Sequence, residues 1–255
     1  MKVKVLSSGS KGNTTYIETE NTKILIDLGN SCKYVKERLM ELNVDPRSID
    51  AILVTHIHND HIRGLKVFCK QFNTKVYCTD KMIKYMEYIN NYNLIEDKDF
   101  VIGDFNIHVI KTSHDTDDSN GYVISSNETS IVYITDTGYI NKRYFDELRN
   151  KELYILESNH DIEMLNNSSY PYELRKRIYG DKGHLSNVDC SKYLSDFVGD
   201  RTKCIMLAHL SEENNDPKIA YDTLIKKLES VNKNIDNIIV TKQDMATELV
   251  EVWLR

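Results

Sequence analysis

A short apolar run, AILV at 51–54, is followed directly by THIHNDH at 55–61, which brings three histidines and an aspartate into seven residues. A continuous apolar run of this kind is typical of a strand that is buried on both faces. Alternate residues of an extended segment point the same way, so His56 and His58 can present two imidazoles to one metal ion. Asp60 and His61 come after the strand, where a turn can direct them toward a second position. We interpret this segment as a metal-binding loop at the end of a buried strand.

The competing interpretation is that these are ordinary polar loop residues, and for any single histidine it would be preferred. Four such residues in the pattern H-x-H-x-D-H are much harder to explain that way. Imidazole and carboxylate ligands without cysteine suit zinc, manganese or iron, and the sequence does not choose among them.

Four ligands in one loop are too few for two metal sites, so the interpretation requires further ligands at other strand ends. His114 follows a predicted strand in KTSHDTDD, Asp136 ends the alternating strand SIVYITDTG, and His209 ends CIMLAHLS. In each case a residue type that binds metals closes an apolar strand, as expected for a site at the rim of a sheet.

Strand and helix patterns alternate along the chain in two successive blocks. Strands are predicted at 2–6, 14–18, 23–27, 51–54, 75–78, 100–102, 106–111, 122–125, 130–135, 153–156, 204–208 and 237–240. Helices are predicted at 30–42, 64–72, 81–88, 142–150, 172–179, 187–197 and 218–231. Strands followed by helices, twice over, predict an α/β fold in which two mixed β-sheets pack together with helices outside them, a four-layer αββα sandwich.

The three prolines and ten glycines mark no linker, so residues 1–255 are predicted to form a single domain. No stretch approaches the roughly 20 apolar residues of a membrane helix, and MKVKVLSSGS lacks the apolar core of a signal peptide. We therefore expect a cytoplasmic protein with no membrane association. Five scattered cysteines without a C-x-x-C pair predict neither a disulfide framework nor a thiolate zinc site.

The net charge of -6 argues against coating of nucleic acid by bulk electrostatics, because such domains carry a basic excess. It leaves room for a local basic groove. The run LRKR at 174–177, with Lys182 close behind, is the candidate, although such a run is most often a solvated helix face.

With these ligand types in this order, the chain resembles the metallo-β-lactamase-fold hydrolases, whose signature is H-x-H-x-D-H followed by a later His, an Asp and a last His. The resemblance implies one metal bound by His56, His58 and His114. It implies a second metal bound by Asp60, His61 and His209, with Asp136 bridging the two.

Within that superfamily, the segments LSSGSKGN, LIDLGNS, ESNHD, GHLSN and AHLSEENN resemble the YycJ group, also called WalJ or VicX. Members are bacterial cytoplasmic proteins associated with a cell-wall two-component system. The resemblance implies nuclease activity on DNA, rather than RNA, in the 5′ to 3′ direction. Two metal ions can activate water and clamp a phosphodiester for such cleavage.

Three residues are predicted to take part in catalysis. Asp60 could orient the attacking water or accept its proton. His184, in GHLSN, resembles the histidine of the H-x-S/T motif in ribonuclease Z-like phosphodiesterases, and we predict that it is the general acid or a phosphate ligand. His160, in ESNHD, is an alternative proton donor, although a supporting hydrogen bond to a metal ligand explains it equally well.

Candidate substrate contacts lie in three segments. In SSGSKGN the glycine spacing excludes a nucleotide P-loop, and a tight turn with Ser10 or Asn13 bordering the site is the better interpretation. Asn159 belongs to ESNHD, while Arg175 and Arg177 belong to the basic run and would meet the phosphate backbone.

Three functions compete on this evidence. A dinuclear phosphodiesterase acting on DNA leads. A hydrolase of a small phosphodiester or a thioester keeps the metals, but GHLSN and the basic run favour phosphodiesters. A regulatory binding protein with structural metals is the third, and the complete ligand set argues against it.

Overall fold

The computed structural model describes residues 1–96 and 98–252, and in this part of the chain fourteen strands form two seven-stranded sheets. The first sheet contains β1 (Lys2–Ser7), β2 (Thr14–Glu18), β3 (Lys23–Ile26), β4 (Ala51–Leu53), β5 (Lys75–Cys78), β6 (Tyr92–Leu94) and β14 (Val250–Glu251). The second sheet contains β7 (Phe100–Ile102), β8 (Phe105–Lys111), β9 (Asn120–Ser126), β10 (Thr129–Ile134), β11 (Leu153–Glu157), β12 (Cys204–Ala208) and β13 (Ile238–Val240).

Helices connect these strands and cover the outer face of each sheet. They are α1 (Cys32–Glu41), α2 (Asn59–Ile62), α3 (Leu65–Phe72), α4 (Asp80–Ile83), α5 (Phe145–Leu148), α6 (Ile162–Asn166), α7 (Tyr172–Tyr179), α8 (Asn187–Phe197) and α9 (Pro217–Ser230). Short 3-10 turns lie at Pro46–Ser48 and Lys142–Tyr144.

The two sheets share one pairing scheme. In the first, β1, β2 and β3 pair antiparallel and β3 to β6 pair parallel. In the second, β7 to β10 pair antiparallel and β10 to β13 pair parallel. Parallel neighbours end at the same edge of a sheet, so the loops after β3, β4, β10, β11 and β12 open onto the rims where the predicted ligands lie.

Apolar side chains separate into three buried layers. One lies between the sheets and includes Val5 and Ile24 from the first with Ile107 and Ile131 from the second. The other two lie between each sheet and its helices. This confirms the predicted αββα sandwich, and the layer shared by both sheets supports the single-domain organisation, which stays a prediction.

The helix predicted at 81–88 is wrong beyond Ile83. The amides of Tyr85, Met86 and Ile89 each donate to the carbonyl three residues earlier, so the chain continues as successive turns. Met82, Met86 and Ile89 are buried in this geometry as they would be in a helix. A spacing of four and three residues between apolar positions therefore could not distinguish a helix from successive turns.

The helix predicted at 142–150 is shorter and partly of a different type. A 3-10 turn capped by the Asn141 side chain leads into α5, which ends at Leu148, and Asn150 adopts a left-handed φ of 53°. The strands β6 and β14 and the helices α2 and α6 are additional elements that the pattern did not predict. Within the described residues, no helix is both long and apolar enough to cross a bilayer.

Candidate metal centre

The THIHNDH segment leaves β4 after Leu53 in extended form and then closes into the single helical turn α2. His58 is the extended residue before α2, and its carbonyl accepts from the His61 amide at 2.9 Å. This change of backbone direction lets the side chains of the loop converge, so that the ring centroid of His56 lies 4.7 Å from that of His58 and 4.0 Å from that of His61.

Three histidines converge on the first position. Each of His56, His58 and His114 offers a ring nitrogen within 4.8 Å of the others. His114 Nε2 lies 3.2 Å from His58 Nδ1, while His114 Nδ1 lies 3.2 Å from the Gly183 carbonyl and donates to it. The Nε2 atom of His114 therefore faces the cluster.

The second position is formed by Asp60, His61 and His209, which also lie within the 4.8 Å limit. Asp60 Oδ2 is 3.5 Å from His61 Nε2 and 3.6 Å from His209 Nε2. Burial alone would raise the pKa of Asp60, but the neighbouring histidines lower the pKa instead. A carboxylate is therefore the form that this position holds.

Asp136 lies between the two positions. Its Oδ2 is 3.2 Å from His61 Nε2, and its Oδ1 is 3.5 Å from His209 Nε2 and 3.8 Å from His114 Nε2. The residue adopts a left-handed φ of 55° two residues after β10 ends, which turns the carboxylate into the cluster. This is the placement required of a ligand shared by two ions.

The donor set fits divalent cations. His56 Nε2, His209 Nε2 and Asp136 Oδ2 are buried and have no hydrogen-bond partner among the described residues. Buried polar atoms are normally satisfied, and three unsatisfied atoms pointing into one cluster of imidazole and carboxylate groups are explained by coordination. The seven residues thus form a candidate site for divalent metal ions, and the assignment of each ligand to one of two ions stays a prediction.

A buried network behind the cluster orients His61. Asp27, which follows β3, accepts from His61 Nδ1 at 2.7 Å and from the Thr55 amide and hydroxyl at 2.8 and 2.7 Å. Thr55 Oγ1 also lies 3.1 Å from His56 Nδ1. Because Nδ1 of His61 is held by Asp27, its Nε2 faces the cluster.

Glu157, the last residue of β11, is a functional residue that the sequence analysis missed. Its Oε1 lies 2.7 Å from His184 Nδ1 and 3.0 Å from His209 Nδ1, and its Oε2 accepts from the Thr137 and Leu185 amides. Burial would raise the pKa of Glu157, but His184 and the other donors lower the pKa to about 2. The sequence did contain a signal for Glu157, because a charged residue ends this fully buried strand, just as Asp136 and His209 follow β10 and β12.

A cavity of about 200 Å³ opens beside the cluster and contains several predicted residues. Its lining includes Ser10, His114, Asp115, Asn159, Tyr170, Arg177, Lys182, His184 and His209. The structure therefore brings His184, Ser10, Asn159 and Arg177 together with the ligands.

Asn159 and Arg177 both line the cavity, and each also forms a contact that supports the candidate site. The Asn159 side-chain amide donates to the His209 carbonyl at 2.9 Å, which holds that ligand. Arg177 pairs with Asp115, whose other oxygen lies 3.4 Å from His114 Nε2.

Asn13 and Arg175 are placed outside the cavity lining. The buried Asn13 amide donates to Asp60 Oδ2 at 3.2 Å and to the Gly9 carbonyl at 3.0 Å, so it positions a ligand. The half-buried Arg175 donates to the carbonyl of Asn166, the last residue of α6. Substrate contacts by these two residues stay predictions.

His160 is also outside the cavity. It is buried against Tyr179, with ring centroids 5.2 Å apart, and neither ring nitrogen has a hydrogen-bond partner among the described residues. Burial lowers the pKa of His160 to about 4, so its ring is neutral near pH 7. This position favours His184 over His160 as the proton donor, and the catalytic assignment of either stays a prediction.

Comparison with known proteins agrees with this fold. Residues 8–178 match the model of the Metallo-beta-lactamase superfamily, and the chain belongs to that superfamily. Within it, the chain is 36% identical to the exodeoxyribonuclease WalJ of Streptococcus pneumoniae over 98% of both chains. It is 35% identical to the exodeoxyribonuclease YycJ of Bacillus anthracis over 88% of both chains. The resemblance to the YycJ and WalJ group is thereby confirmed.

Solved structures with lower identity show the same fold. The metallo-beta-lactamase fold protein YhfI from Bacillus subtilis is 16% identical, with a TM-score of 0.71 over 96% of this chain and 98% of that one. The short form of human tRNase Z is 15% identical, with a TM-score of 0.68 over the full length of both chains.

Proposed function

We propose that this protein is a metal-dependent exodeoxyribonuclease that hydrolyses phosphodiester bonds of DNA. The observation that carries the proposal is a complete set of seven donors opening into a cavity that also holds His184 and the cations Arg177 and Lys182. Two relatives that match along most of their length are exodeoxyribonucleases, which supports the same substrate class.

The metal-binding residues divide between two ions. His56, His58 and His114 would hold one ion and Asp60, His61 and His209 the other, with Asp136 shared. When bound, such a pair supplies an activated water near neutral pH and charge stabilisation for the phosphoryl oxygens. Zinc or manganese is the proposed occupant, and iron has the same ligand preference.

His184 is the proposed donor of the proton that the leaving alkoxide needs. Its Nδ1 is held by Glu157 at 2.7 Å, so its Nε2 is the nitrogen available to substrate. Burial opposes protonation of this ring, but the adjacent Glu157 carboxylate raises the pKa of His184. A raised pKa favours the protonated form of His184 that a proton donor requires.

Asp60 has a second role besides coordination. Its carboxylate is fixed by the Asn13 amide and lies at the edge of the second metal position. From there it would orient the attacking water or accept its proton.

Arg177 and Lys182 line the cavity and would contact the phosphates that flank the scissile bond, while Ser10 and Asn159 border the same space. Cation contacts of this kind give salt-dependent affinity without base specificity. We further propose 5′ to 3′ polarity, a preference for DNA over RNA, a cytoplasmic location and one domain over residues 1–255.

End-labelled substrates test the proposal. Purified protein with added manganese or zinc is incubated with 5′- and 3′-labelled single- and double-stranded DNA and RNA. We expect mononucleotide release from the 5′ end of DNA, and loss of cleavage without loss of folding in Asp60→Ala and His184→Ala. If DNA and bis(p-nitrophenyl) phosphate both stay intact while a thioester is hydrolysed, the proposal is wrong.

A small phosphodiester is the second candidate substrate, and the size of the cavity favours it. About 200 Å³ is below the roughly 300–1,000 Å³ typical of ligand pockets, so the space fits a small group or one end of a chain. Cleavage of a small diester with intact DNA would select this candidate. Absence of any cleavage would instead indicate a binding protein with structural metals.

A further inference from the structure

A second groove lies beside the metal centre, outside every site residue named so far. Its volume is about 730 Å³, and its lining combines the segment after β10 with one face of α8, including Tyr139, Lys142, Phe145, Lys192 and Tyr193. A smaller cavity of about 180 Å³ shares Tyr139 and Asn141 with it and adds Ser113 and Arg143.

The smaller cavity borders the two loops that carry the proposed ligands His114 and Asp136. Ser113 directly precedes the ligand His114, and Tyr139 follows the ligand Asp136 by three residues. The two loops are tied together, because the Ser113 amide donates to Thr137 Oγ1 at 3.0 Å and the Gly138 amide donates to the Ser113 carbonyl at 2.9 Å. The two loops that border the smaller cavity are therefore held together by hydrogen bonds.

The lining of the groove contains two lysines and one carboxylate, in a protein with a net charge of -6. Lys142 and Lys192 are exposed, and neither forms an ion pair with any residue in the described ranges. The guanidinium of Arg143 stacks on the Tyr144 ring at 4.5 Å and so is held at the groove edge. Asp196 is the carboxylate in the lining of the larger groove.

Unpaired cations near a hydrolytic centre can bind a polyanion. A phosphodiester chain carries one negative charge per nucleotide, and its phosphates bind more strongly to cations that are not already neutralised by an ion pair. Tyr139 adds an aromatic surface with 42% exposure at the junction of the two cavities, where a base or sugar can stack. A small anion would contact only one of these cations. The lining supplies Lys142 from the segment after β10 and Lys192 from α8.

We propose that this groove binds the phosphate backbone of DNA several nucleotides from the scissile bond, with Lys142 and Lys192 contacting phosphates. The inference rests on the proposed nuclease function and extends it from the reacting bond to the rest of the substrate. Binding there would hold the chain in register as successive nucleotides are removed.

The test is the double variant Lys142→Gln/Lys192→Gln of the metal-loaded protein. Losing two phosphate contacts should reduce the slope of log affinity against log salt by about 2. We expect KM for long duplex DNA to rise about tenfold at moderate salt, with kcat at saturating DNA within about twofold of the parent, since binding energy and not chemistry is lost. Hydrolysis of bis(p-nitrophenyl) phosphate, which has no flanking phosphates for these lysines to contact, should keep the parental rate.

Two matched controls accompany the variant. Lys70→Gln/Lys226→Gln removes two exposed lysines that line neither cavity and should leave KM and the salt slope unchanged. Lys142→Arg/Lys192→Arg keeps the charge and should restore the parental salt slope.

The outcomes separate the two proposals. If the parent cleaves DNA and the glutamine variant has parental KM and salt slope, the groove proposal is overturned and the nuclease proposal stands. If the parent neither binds nor cleaves DNA, both are overturned. A rise in KM with the expected loss of salt slope, absent from the Lys70 and Lys226 control, supports the groove.

Discussion

The Oε1 atom of Glu157 lies 2.7 Å from His184 Nδ1, and this contact decides which ring nitrogen of His184 faces the cavity. The same oxygen lies 3.0 Å from Nδ1 of the ligand His209. One buried carboxylate thus positions both the proposed proton donor and a metal ligand. Changing it should affect both protonation and metal binding.

We predict that Glu157→Gln lowers kcat on DNA by about 10²-fold, because the amide cannot stabilise the protonated His184 ring. Metal affinity at the His209 position should fall by about 10- to 100-fold, as for other residues that orient ligands. Steady-state kinetics at saturating metal and a metal titration measure the two effects separately.

Glu152→Gln is the matched control, since Glu152 is an equally buried glutamate that precedes β11 and pairs with Arg201 away from the cluster. It should change kcat by less than about twofold even where stability falls, because no catalytic group touches it. Equal loss of kcat in both variants would show that Glu157 acts only through folding.

Asp27→Asn tests the network behind His61. The 2.7 Å contact to His61 Nδ1 requires an acceptor, and an amide that turns its NH2 group toward the ring loses this contact. We predict about 10- to 100-fold weaker metal binding with activity recovered at high metal concentration. Metal analysis after dialysis checks the result, with the exposed Asp50→Asn as control. Parental metal content in Asp27→Asn would contradict the role given to this network.

Removal of metal should destabilise the folded protein as well as stop cleavage. Binding to the native state contributes about 2.7 kcal/mol per site when free metal is about 100 times its dissociation constant. Thermal unfolding with and without a chelator measures this, and we expect a clear fall in Tm. The fall should be smaller in Asp136→Asn, which lacks the carboxylate shared by both positions. An unchanged parental Tm after complete metal removal would exclude this coupling.

Gly29→Ala should destabilise the loop that carries the ligands. A Cβ at Gly29 would lie 1.6 Å from the Asp60 carbonyl oxygen, so the backbone of THIHNDH would have to move. We predict a loss of about 1–3 kcal/mol in the free energy of unfolding, together with reduced metal content. Gly180→Ala is the control, because its nearest neighbours, the Arg177 and Lys176 carbonyl oxygens, would lie 3.4 Å from the added Cβ. Urea unfolding measures the free energy of unfolding of both variants. Equal values would show that the loop accommodates the added Cβ without loss of stability.

Residues with strong local signals were the predictable part of the site. The proposed ligands each follow an apolar strand, and parallel strand ends meet at one rim. The sequence alone therefore grouped His56, His114, Asp136 and His209. The group resemblance then added His184, which does line the cavity.

Supporting residues were less predictable because their roles depend on contacts distant in sequence. Asp27 reaches His61 across 34 positions, and Glu157 reaches His209 across 52. Asn13 was predicted as a substrate contact, which stays a prediction, while its contact with Asp60 was not predicted, since a turn rich in small residues is equally compatible with either role. The 81–88 helix failed for a related reason, because apolar spacing records burial and not hydrogen bonding.

The shared pairing scheme of the two sheets has a consequence for assembly of the protein. The β1 to β6 half contributes His56, His58, Asp60 and His61, and the β7 to β13 half contributes His114, Asp136 and His209. Neither half contains a complete coordination sphere for both ions. Metal occupancy would therefore report that the two halves have docked, and bound ions would act as a cross-link that a split or circularly permuted chain would have to re-form.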